Sequence, residues 1–272
     1  MGARERSLEQ LNPCPHARFT VEAGAIRGDE VLFGQEAAWQ MARVLRLGPG
    51  QVVGVMVEGR ELAVRLEEVG PRQSRGRVLG PVDRFTEPGV TVAILQALLK
   101  GDRTDLVVQK ATELGVSYIF PVITARTVVR PSASPGKLQR WEKIAREAAE
   151  QSLRTRVPAI FPPQNLEQAL EQARQLLPGA TLVVLWEEER KVGLCDVLAG
   201  DGKEIILLMG PEGGLTADEV AGVLALGGRS ASLGTRILRS ETAALAALTL
   251  VLASRGEIGR APGGWRPGCV SS

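Results

Sequence analysis

The chain has 272 residues, 33 basic and 31 acidic side chains, 44% hydrophobic residues, three cysteines and one histidine. This balance is typical of a globular protein with room for two domains, and it argues against a membrane span, a disulfide framework or a metal site. Because the first residues show no apolar signal segment, we expect a cytoplasmic protein.

Short β-like runs bounded by glycines fill the first third of the chain, and one helical pattern, roughly Gln35–Leu47, interrupts them. The runs are Arg18–Val21, Val31–Phe33, Gln51–Val57, Leu62–Val69 and Arg75–Leu79. They predict a small β-barrel-like domain. The stretch Gly80–Gly89 has the polar, Pro- and Gly-bearing composition of an interdomain linker.

After Gly89 the pattern changes to apolar runs that alternate with helical periodicity. The runs are Val90–Leu95, Tyr118–Val122, Val157–Ile160, Leu182–Leu185, Ile205–Met209 and Ser230–Leu233. This alternation predicts an α/β domain with a mostly parallel sheet covered on both faces. We expect Thr216 to open a helix with a capping box and Ser240 to N-cap a helix that runs to about Ala253.

The basic excess lies in the middle of the chain, because Lys100–Arg156 carries 11 basic and 6 acidic side chains. Such a segment predicts a face that binds a polyanion, and a solvated helix face is the alternative.

A glycine-rich loop, Met209–Gly214, follows one of the predicted buried strands. The sequence contains neither a GxxxxGK[ST] phosphate loop nor a GxGxxG turn after a strand. Loops at strand carboxyl ends are where α/β sheets bind ligands, and glycines let the backbone approach a ligand closely. On this basis Gly213→Val is expected to abolish ligand binding, whereas an ordinary strand-to-helix turn is the alternative interpretation.

A second loop, Leu233–Ala243, also follows a predicted strand and leads into a helix. It places Arg236, Arg239 and Glu241 near the same sheet edge. Solvated charges at a helix start are the alternative, and the helix dipole explains Glu241 but not cations that precede the helix.

Four stretches together resemble a known family, the bacterial 16S ribosomal RNA uridine-N3 methyltransferases (RsmE) of the knotted SPOUT superfamily. They are Lys100–Arg103 with Gln109–Val116, Arg140–Trp141 through Glu147–Ser152 with Arg154, Gly210–Gly214, and Leu233–Gly234 with Arg236–Arg239 and Glu241–Ala243. The amino-terminal part matches less, through Val44–Leu47 and Gly50, and Trp39 and Gln40 stand where the family has a histidine.

The resemblance implies a PUA-like RNA-binding β-barrel at residues 1–85, a SPOUT domain with a deep trefoil knot at 86–255, and a flexible tail at 256–272. It also implies a homodimer that uses S-adenosyl-L-methionine as methyl donor and 16S rRNA of the small ribosomal subunit as substrate. The implied donor-binding residues are Leu185, Trp186, Glu187, Met209, Gly210, Pro211, Glu212, Gly213, Gly214, Leu233, Gly234, Ile237, Leu238, Thr242 and Ala243.

The expected catalytic residues are Arg239 and, second, Arg236, which would stabilise the charge that develops as uridine N3 loses its proton. Glu241 and Glu212 are the candidate proton acceptors, although Glu212 could instead hold its loop and Glu241 could serve the helix start.

The basic side chains expected to contact RNA phosphates are Arg46, Lys100, Arg103, Lys110, Arg126, Arg140, Arg154 and Arg156. Trp39 or Trp141 could stack a base, but we expect Trp141 to pack against the sheet and Lys110 to pair with Glu113. The alternatives are a related enzyme that methylates a ribose 2′-hydroxyl or a transfer RNA, and a non-catalytic RNA-binding assembly protein.

Overall fold

The computed structural model describes residues 17–58, 60–82, 86–129 and 136–259, which divide into two compact units. The first contains the described residues through Glu87 together with Leu153–Arg156, and the second contains the rest. The segment Leu153–Arg156 belongs to the first unit although it lies beyond the predicted domain boundary in sequence. The reason is that the Glu87 carboxylate accepts hydrogen bonds from the backbone N–H groups of Thr155 and Arg156.

The described part of the first unit contains a mixed six-stranded sheet in the order β1-β4-β5-β6-β3-β2. The strands are β1 (Arg18–Thr20), β2 (Ile26–Arg27), β3 (Glu30–Phe33), β4 (Val52–Val57), β5 (Arg60–Val69) and β6 (Ser74–Pro81). Strand β1 pairs in parallel with β4, and the other pairs are antiparallel. Because β1 and β2 end this order without pairing to each other, the described sheet is open rather than closed.

The helix of the first unit is shorter than its sequence pattern predicts. An α-helix, α1, covers Gln35–Trp39 and passes into a π-helical turn at Gln40–Val44. The backbone then leaves the helical region, since Arg46 has a φ of 52°. Met41 is nevertheless fully buried, so the segment contributes to the core of this unit.

The second unit is built on a parallel sheet in the order β10-β8-β7-β12-β11-β13, with β9 beside β8. The strands are β7 (Thr91–Ala97), β8 (Tyr118–Ile123), β9 (Ala159–Ile160), β10 (Gln164–Asn165), β11 (Thr181–Leu185), β12 (Glu204–Met209) and β13 (Arg229–Ala231). The predicted α/β fold with a mostly parallel sheet is confirmed.

Helices cover both faces of this sheet, as the apolar strand pattern requires. They are α2 (Arg103–Leu114), α3 (Gly136–Gln151), α4 (Leu166–Leu176), α5 (Leu194–Val197), α6 (Ala217–Ala225) and α7 (Ser240–Ser254). Helices α2, α3, α5 and α7 bury their apolar side chains on one face, and α4 and α6 on the other. Trp141 is fully buried in the first of these cores and donates to Asp105 Oδ1 at 2.8 Å, so its predicted packing role is confirmed.

Two helix starts were predicted, and one is correct. Thr216 caps α6, because its hydroxyl accepts from the backbone N–H of Glu219 while the Glu219 carboxylate accepts from the backbone N–H of Thr216. Ser240 is not an N-cap. Arg239 occupies that position without a side-chain cap, and the Ser240 hydroxyl donates to the carbonyl of Gly210 instead.

The first residues after α7, which fall in the predicted tail, make contacts within the second unit. The backbone N–H of Glu257 donates to the Leu252 carbonyl at 2.9 Å, and its carboxylate accepts from the backbone N–H of Gly89. Ile258 packs against the core. Residues 260–272 lie outside the described part of the chain.

None of the helices in the described ranges combines the length and the apolar character needed to cross a membrane.

Candidate active site

A cavity of about 430 Å³ opens at the carboxyl ends of three neighbouring strands, β11, β12 and β13. These ends lie level, because Leu185 pairs in register with Met209 on one side and with Ala231 on the other. The carboxyl edge of a parallel sheet is where such folds bind ligands, and the volume suits a small organic molecule.

The loops that follow these strands bring most of the predicted donor-binding residues to one place. The cavity is lined by Leu185, Trp186, Glu187, Met209, Gly210, Pro211, Glu212, Gly214, Leu233, Gly234, Ile237, Leu238 and Ala243, and by Arg236 and Arg239. Gly213, Thr242 and Glu241 are not part of this lining.

Sequence reasoning missed several lining residues: Arg103, Arg190, Ala231, Ser232, Thr235 and Ser240. Ala231 and Ser232 belong to a predicted strand, and Thr235 and Ser240 lie within the predicted second loop, so the pattern could have found them. Arg103 was predicted as an RNA contact, and Arg190 carried no signal.

The glycines of the first loop differ in how tightly they are packed. A Cβ on Gly210 would lie 3.0 Å from the backbone of Gly214 and Leu215, and a Cβ on Gly214 would collide with the Glu187 carboxylate. Gly214 also has a φ of 72°. A Cβ on Gly213 meets only an ordinary contact at 3.4 Å from Arg126, so the protein itself restricts this position less than Gly210 and Gly214.

The Ser240 hydroxyl connects three parts of the site. It accepts a hydrogen bond from Gln96 Nε2 at 2.9 Å and donates to the carbonyl of Gly210. Gln96 lies on the central strand β7 and is almost fully buried. The first loop, the start of α7 and the middle of the sheet are therefore joined through one side chain.

Glu212 is held in place by its neighbours. Its Oε1 accepts from the backbone N–H of Lys100 at 3.0 Å and from Arg103 Nη1 at 3.0 Å. Partial burial by itself raises the pKa of Glu212, but hydrogen bonds from the backbone of Lys100 and of Glu212 itself, together with the charges of Arg103 and Lys100, outweigh it and hold the pKa below its usual value. Glu212 is thus a loop anchor and a weak base.

Glu241, at the start of α7, is 8% exposed and faces Arg103, with 3.8 Å between Glu241 Oε1 and Arg103 Nε. Its second oxygen, Oε2, is buried without a hydrogen-bond partner among the described residues. A buried carboxylate oxygen without a partner retains an unused acceptor position for a hydrogen bond.

Hydrogen bonds to the Glu189 carboxylate hold the loop after β11 in place. Glu189 accepts hydrogen bonds from the Ser230 hydroxyl and from the backbone N–H groups of Lys191 and Val192, and these bonds, that of Ser230 first, lower the pKa of Glu189. Trp186 lines the cavity, and its buried indole N–H has no partner within the described chain. Trp186 therefore contributes to the wall of the cavity, while its N–H lies below the accessible surface.

Arg236, Ile237 and Arg239 lie at the exposed side of the second loop. Neither arginine forms an ion pair with another described residue, and Ile237 is 88% exposed. Two free guanidinium groups at the mouth of an apolar cavity can stabilise negative charge on a second ligand.

The side chains predicted to bind RNA fall into three groups. Arg46, Lys100 and Arg156 are exposed. Some already have partners, because Arg126 donates to the Gly213 carbonyl, Arg140 pairs with Asp105, and Lys110 pairs with Glu113 as expected. The prediction for Arg154 is wrong: its side chain is buried and bound to the Glu87 carboxylate, and it does not face a phosphate.

The described geometry agrees with comparisons to known proteins. Residues 86–252 match the family model of the RNA methyltransferase domain. Ribosomal RNA small subunit methyltransferase E of Bacillus subtilis is 33% identical over 225 residues, which cover 79% of this chain and 87% of that protein. The protein of the same name from Mycobacterium bovis is also 33% identical, over 86% of this chain and 90% of its own length.

A solved structure shows similarity to the same group of proteins. The ribosomal RNA small subunit methyltransferase E of Neisseria gonorrhoeae, bound to S-adenosyl methionine, has a TM-score of 0.78 and 29% identity, with 87% of this chain and 97% of that chain covered. The chain therefore belongs to the RNA methyltransferase domain family and, within it, to the ribosomal RNA small subunit methyltransferase E group.

One prediction concerns the anchoring of the first loop. The pKa of Glu212 is depressed from 4.5, so the contribution of its contacts is present above the ordinary glutamate range and is lost as the pH falls through the depressed pKa. Ligand affinity, measured by calorimetry, should stay flat between about pH 5 and 8 and fall only at more acid pH. Glu212→Gln should weaken binding about tenfold at neutral pH and remove the acid-side fall. Wild-type affinity that declines already near neutral pH contradicts this account.

Proposed function

We propose that this protein transfers a methyl group from S-adenosyl-L-methionine to N3 of a uridine in 16S rRNA of the small ribosomal subunit. The observation that supports it best is the cavity at the carboxyl edge of β11, β12 and β13, into which the two predicted loops converge. The Neisseria relative of similar fold is bound to the same donor.

The residues of the cavity fit this donor. Leu185, Met209, Leu233 and Leu238 give the apolar surface that an adenine ring requires. Gly210 and Gly214 leave no room for side chains, so the backbone can meet the ligand directly.

The donor supplies a methyl group on a sulfonium that is already activated for transfer. During the reaction the N3–H bond of uridine breaks, the N3 electron pair forms the new bond to the methyl carbon, and the carbon–sulfur bond breaks with its pair left on sulfur. The protein therefore has to align N3 with the methyl carbon, stabilise charge on the uracil ring and remove one proton.

Arg239, with Arg236 second, is proposed to stabilise the charge on the ring, since both line the mouth of the cavity without an ion-pair partner in the described chain. For the proton we favour Glu241 over Glu212, because Glu241 Oε2 is partnerless whereas the pKa of Glu212 is lowered by its hydrogen bonds and cationic neighbours. Glu241 does not line the cavity, so its proton arrives through a water molecule.

The finer features of the fold belong to the same proposal. A trefoil knot in the second unit is part of this proposal, as the family resemblance implies. The mixed, open sheet of the first unit is compatible with a PUA-like RNA-binding domain. A cytoplasmic location follows from the ribosomal substrate.

The proposal is tested by mass spectrometry of nucleosides after incubation of the protein and the donor with unmodified small subunits, with naked 16S rRNA and with transfer RNA. 3-Methyluridine in ribosomal RNA is the expected product. A 2′-O-methylated nucleoside or a modified transfer RNA would replace the proposal by a related methyltransferase. No methylation despite donor binding would favour an assembly protein.

A homodimer is proposed as the active form, and the 88% exposed Ile237 at the tip of the second loop is the apolar contact that a partner subunit can cover. Sedimentation at low micromolar concentration should show a two-chain species. Ile237→Asp should shift it toward a monomer and lower activity, whereas Leu176→Asp, a comparably apolar site on the exposed side of α4, should not. A fully active monomer contradicts this arrangement.

RNA affinity should fall steeply with salt, because each phosphate contact releases a counterion, whereas donor affinity should change little. Arg46→Ala and Arg156→Ala should each reduce the slope of log affinity against log salt by about one, measured by filter binding. Arg174→Ala, which removes a surface arginine bonded to the Leu226 carbonyl, is the control. A flat salt response of the wild type would mean that the basic segment is only a solvated surface.

A further inference from the structure

Arg103, the first residue of α2, lines the cavity and is held between two carboxylates. Its Nη1 donates to Glu212 Oε1 at 3.0 Å, and its Nε lies 3.8 Å from Glu241 Oε1. The glutamates come from the loop after β12 and from the start of α7. The guanidinium is therefore oriented from two separate segments of the chain.

This orientation leaves one edge of the guanidinium available. Arginine carries five N–H donors in a rigid fork, and among the described residues Nη2 of Arg103 has no hydrogen-bond partner. The side chain is 39% exposed, whereas that of Glu241 is only 10% exposed. A ligand at the mouth of the cavity can thus contact Arg103, while the carboxylates of Glu212 and Glu241 keep their contacts with the guanidinium.

The local charge decides what Arg103 can recognise. Its guanidinium already faces the carboxylates of Glu212 and Glu241, and the charge of Lys100 also acts on Glu212. Arg103 therefore offers less unbalanced charge to a phosphate or to the carboxylate of the methyl donor than an arginine without such partners. A neutral carbonyl oxygen needs no net charge and can accept a hydrogen bond from Nη2.

Resting on the proposed function, we infer that Arg103 is a further substrate-contacting residue, which donates from Nη2 to one carbonyl oxygen of the target uracil. Uracil N3 lies between two carbonyl groups, at C2 and C4. With Arg239 donating to the other oxygen, two arginines would hold the ring with N3 toward the methyl group. Both residues line the same cavity.

The pair would also favour uracil over cytosine. Cytosine has an amino group at C4, which is a donor and meets the arginine N–H groups unfavourably. A site that presents two arginine donors therefore disfavours a base that offers only one carbonyl acceptor, because one donor loses its partner. Arg103 thus contributes specificity as well as alignment.

Arg103→Lys tests the inference. Lysine keeps the positive charge, but it lacks the rigid, planar guanidinium group with which arginine can contact two carboxylates and a substrate at the same time. At saturating RNA the single-turnover rate of 3-methyluridine formation should fall about a hundredfold, the scale expected from a misaligned substrate. Donor affinity by calorimetry and the salt slope of RNA binding should match the wild type, since Glu212 keeps its bond to the Lys100 backbone. Arg174→Lys, a fixed arginine far from the cavity, is the matched control and should change none of these.

Other outcomes overturn the inference in distinguishable ways. An unchanged rate removes Arg103 from the reaction. A salt slope smaller by about one, with a normal rate at saturating RNA, makes Arg103 a phosphate ligand. A large loss of donor affinity would mean that Arg103 binds the methyl donor instead of the substrate.

Two further measurements separate this inference from its neighbours. If Arg103→Lys unfolds at a lower temperature than the wild type, Arg103→Gln serves as the second variant and should still methylate more slowly than the wild type in the same assay. Normal turnover by Arg103→Gln rejects the inference. A wild-type protein that makes no 3-methyluridine instead refutes the proposed function, and the inference with it.

Discussion

Arg239→Ala should lower the rate of single-turnover methylation roughly a hundredfold or more, the scale seen when one preorganised electrostatic group is lost. Arg239 is the N-cap residue of α7, lines the cavity and is not engaged by a carboxylate in the described chain. Its charge is therefore free to act on a uracil that is losing its N3 proton. The effect falls on the reaction, so donor affinity should stay near that of the wild type.

The pH response distinguishes this role from a packing role. Raising the pH should partly restore the rate of Arg239→Ala, because solvent can then remove the N3 proton and a larger fraction of uracil is already anionic. Excess RNA should recover any weakened RNA binding. A variant that loses donor binding would make Arg239 a pocket residue, and undiminished turnover would remove it from the mechanism.

Gly214→Val should abolish donor binding while the protein stays folded. The residue has a φ of 72°, which a β-branched side chain adopts only with strain, and the added side chain would displace the carboxylate of Glu187 from the cavity wall. We expect a loss of donor affinity of about a hundredfold or more in calorimetry, since backbone strain of this kind costs about 1–3 kcal/mol and the displaced wall adds to it.

Two matched glycine variants give the comparison. Gly213→Val should be milder, because the nearest atom to its Cβ lies at 3.4 Å, and Gly222→Ala in α6 should be neutral, because no atom lies within 4 Å. Equal losses at positions 213 and 214 would show that the loop tolerates no side chain at all, and that the conformation of Gly214 is not the cause.

The α/β fold could be predicted because its signals are periodic. Runs such as Ile205–Met209 are apolar throughout, as strands covered on both faces must be, and the helices between them carry one apolar face. The strand Gln164–Asn165 escaped prediction, because two polar residues at a sheet edge need no apolar pattern. The register that brings Leu185, Met209 and Ala231 level is likewise set by pairing over long sequence distances.

The candidate site was predictable in its loops but not in its internal contacts. The glycines and arginines identified the two loops, since their composition is local. A loop-holding role for Glu212 was one of the two predicted alternatives, but its partner Arg103 was not visible, because a bond across 109 positions leaves no mark on either sequence neighbourhood. The prediction that Ser240 N-caps α7 was wrong for the same reason. Serine is a favourable N-cap residue, but the Ser240 hydroxyl instead bonds to the Gly210 carbonyl and to Gln96, which are distant in sequence.

The Ser240 hydroxyl has a consequence for local opening of the protein. It joins the glycine loop to Gln96 on the central strand β7, so the loop cannot detach without breaking a bond to the most buried part of the sheet. The backbone amide of Gly214, which donates to the Pro211 carbonyl at 3.0 Å, should therefore exchange with solvent deuterium more slowly than the amides of a surface loop. The pocket floor and the sheet then belong to one cooperative unit, and loosening this loop requires part of the sheet to open with it.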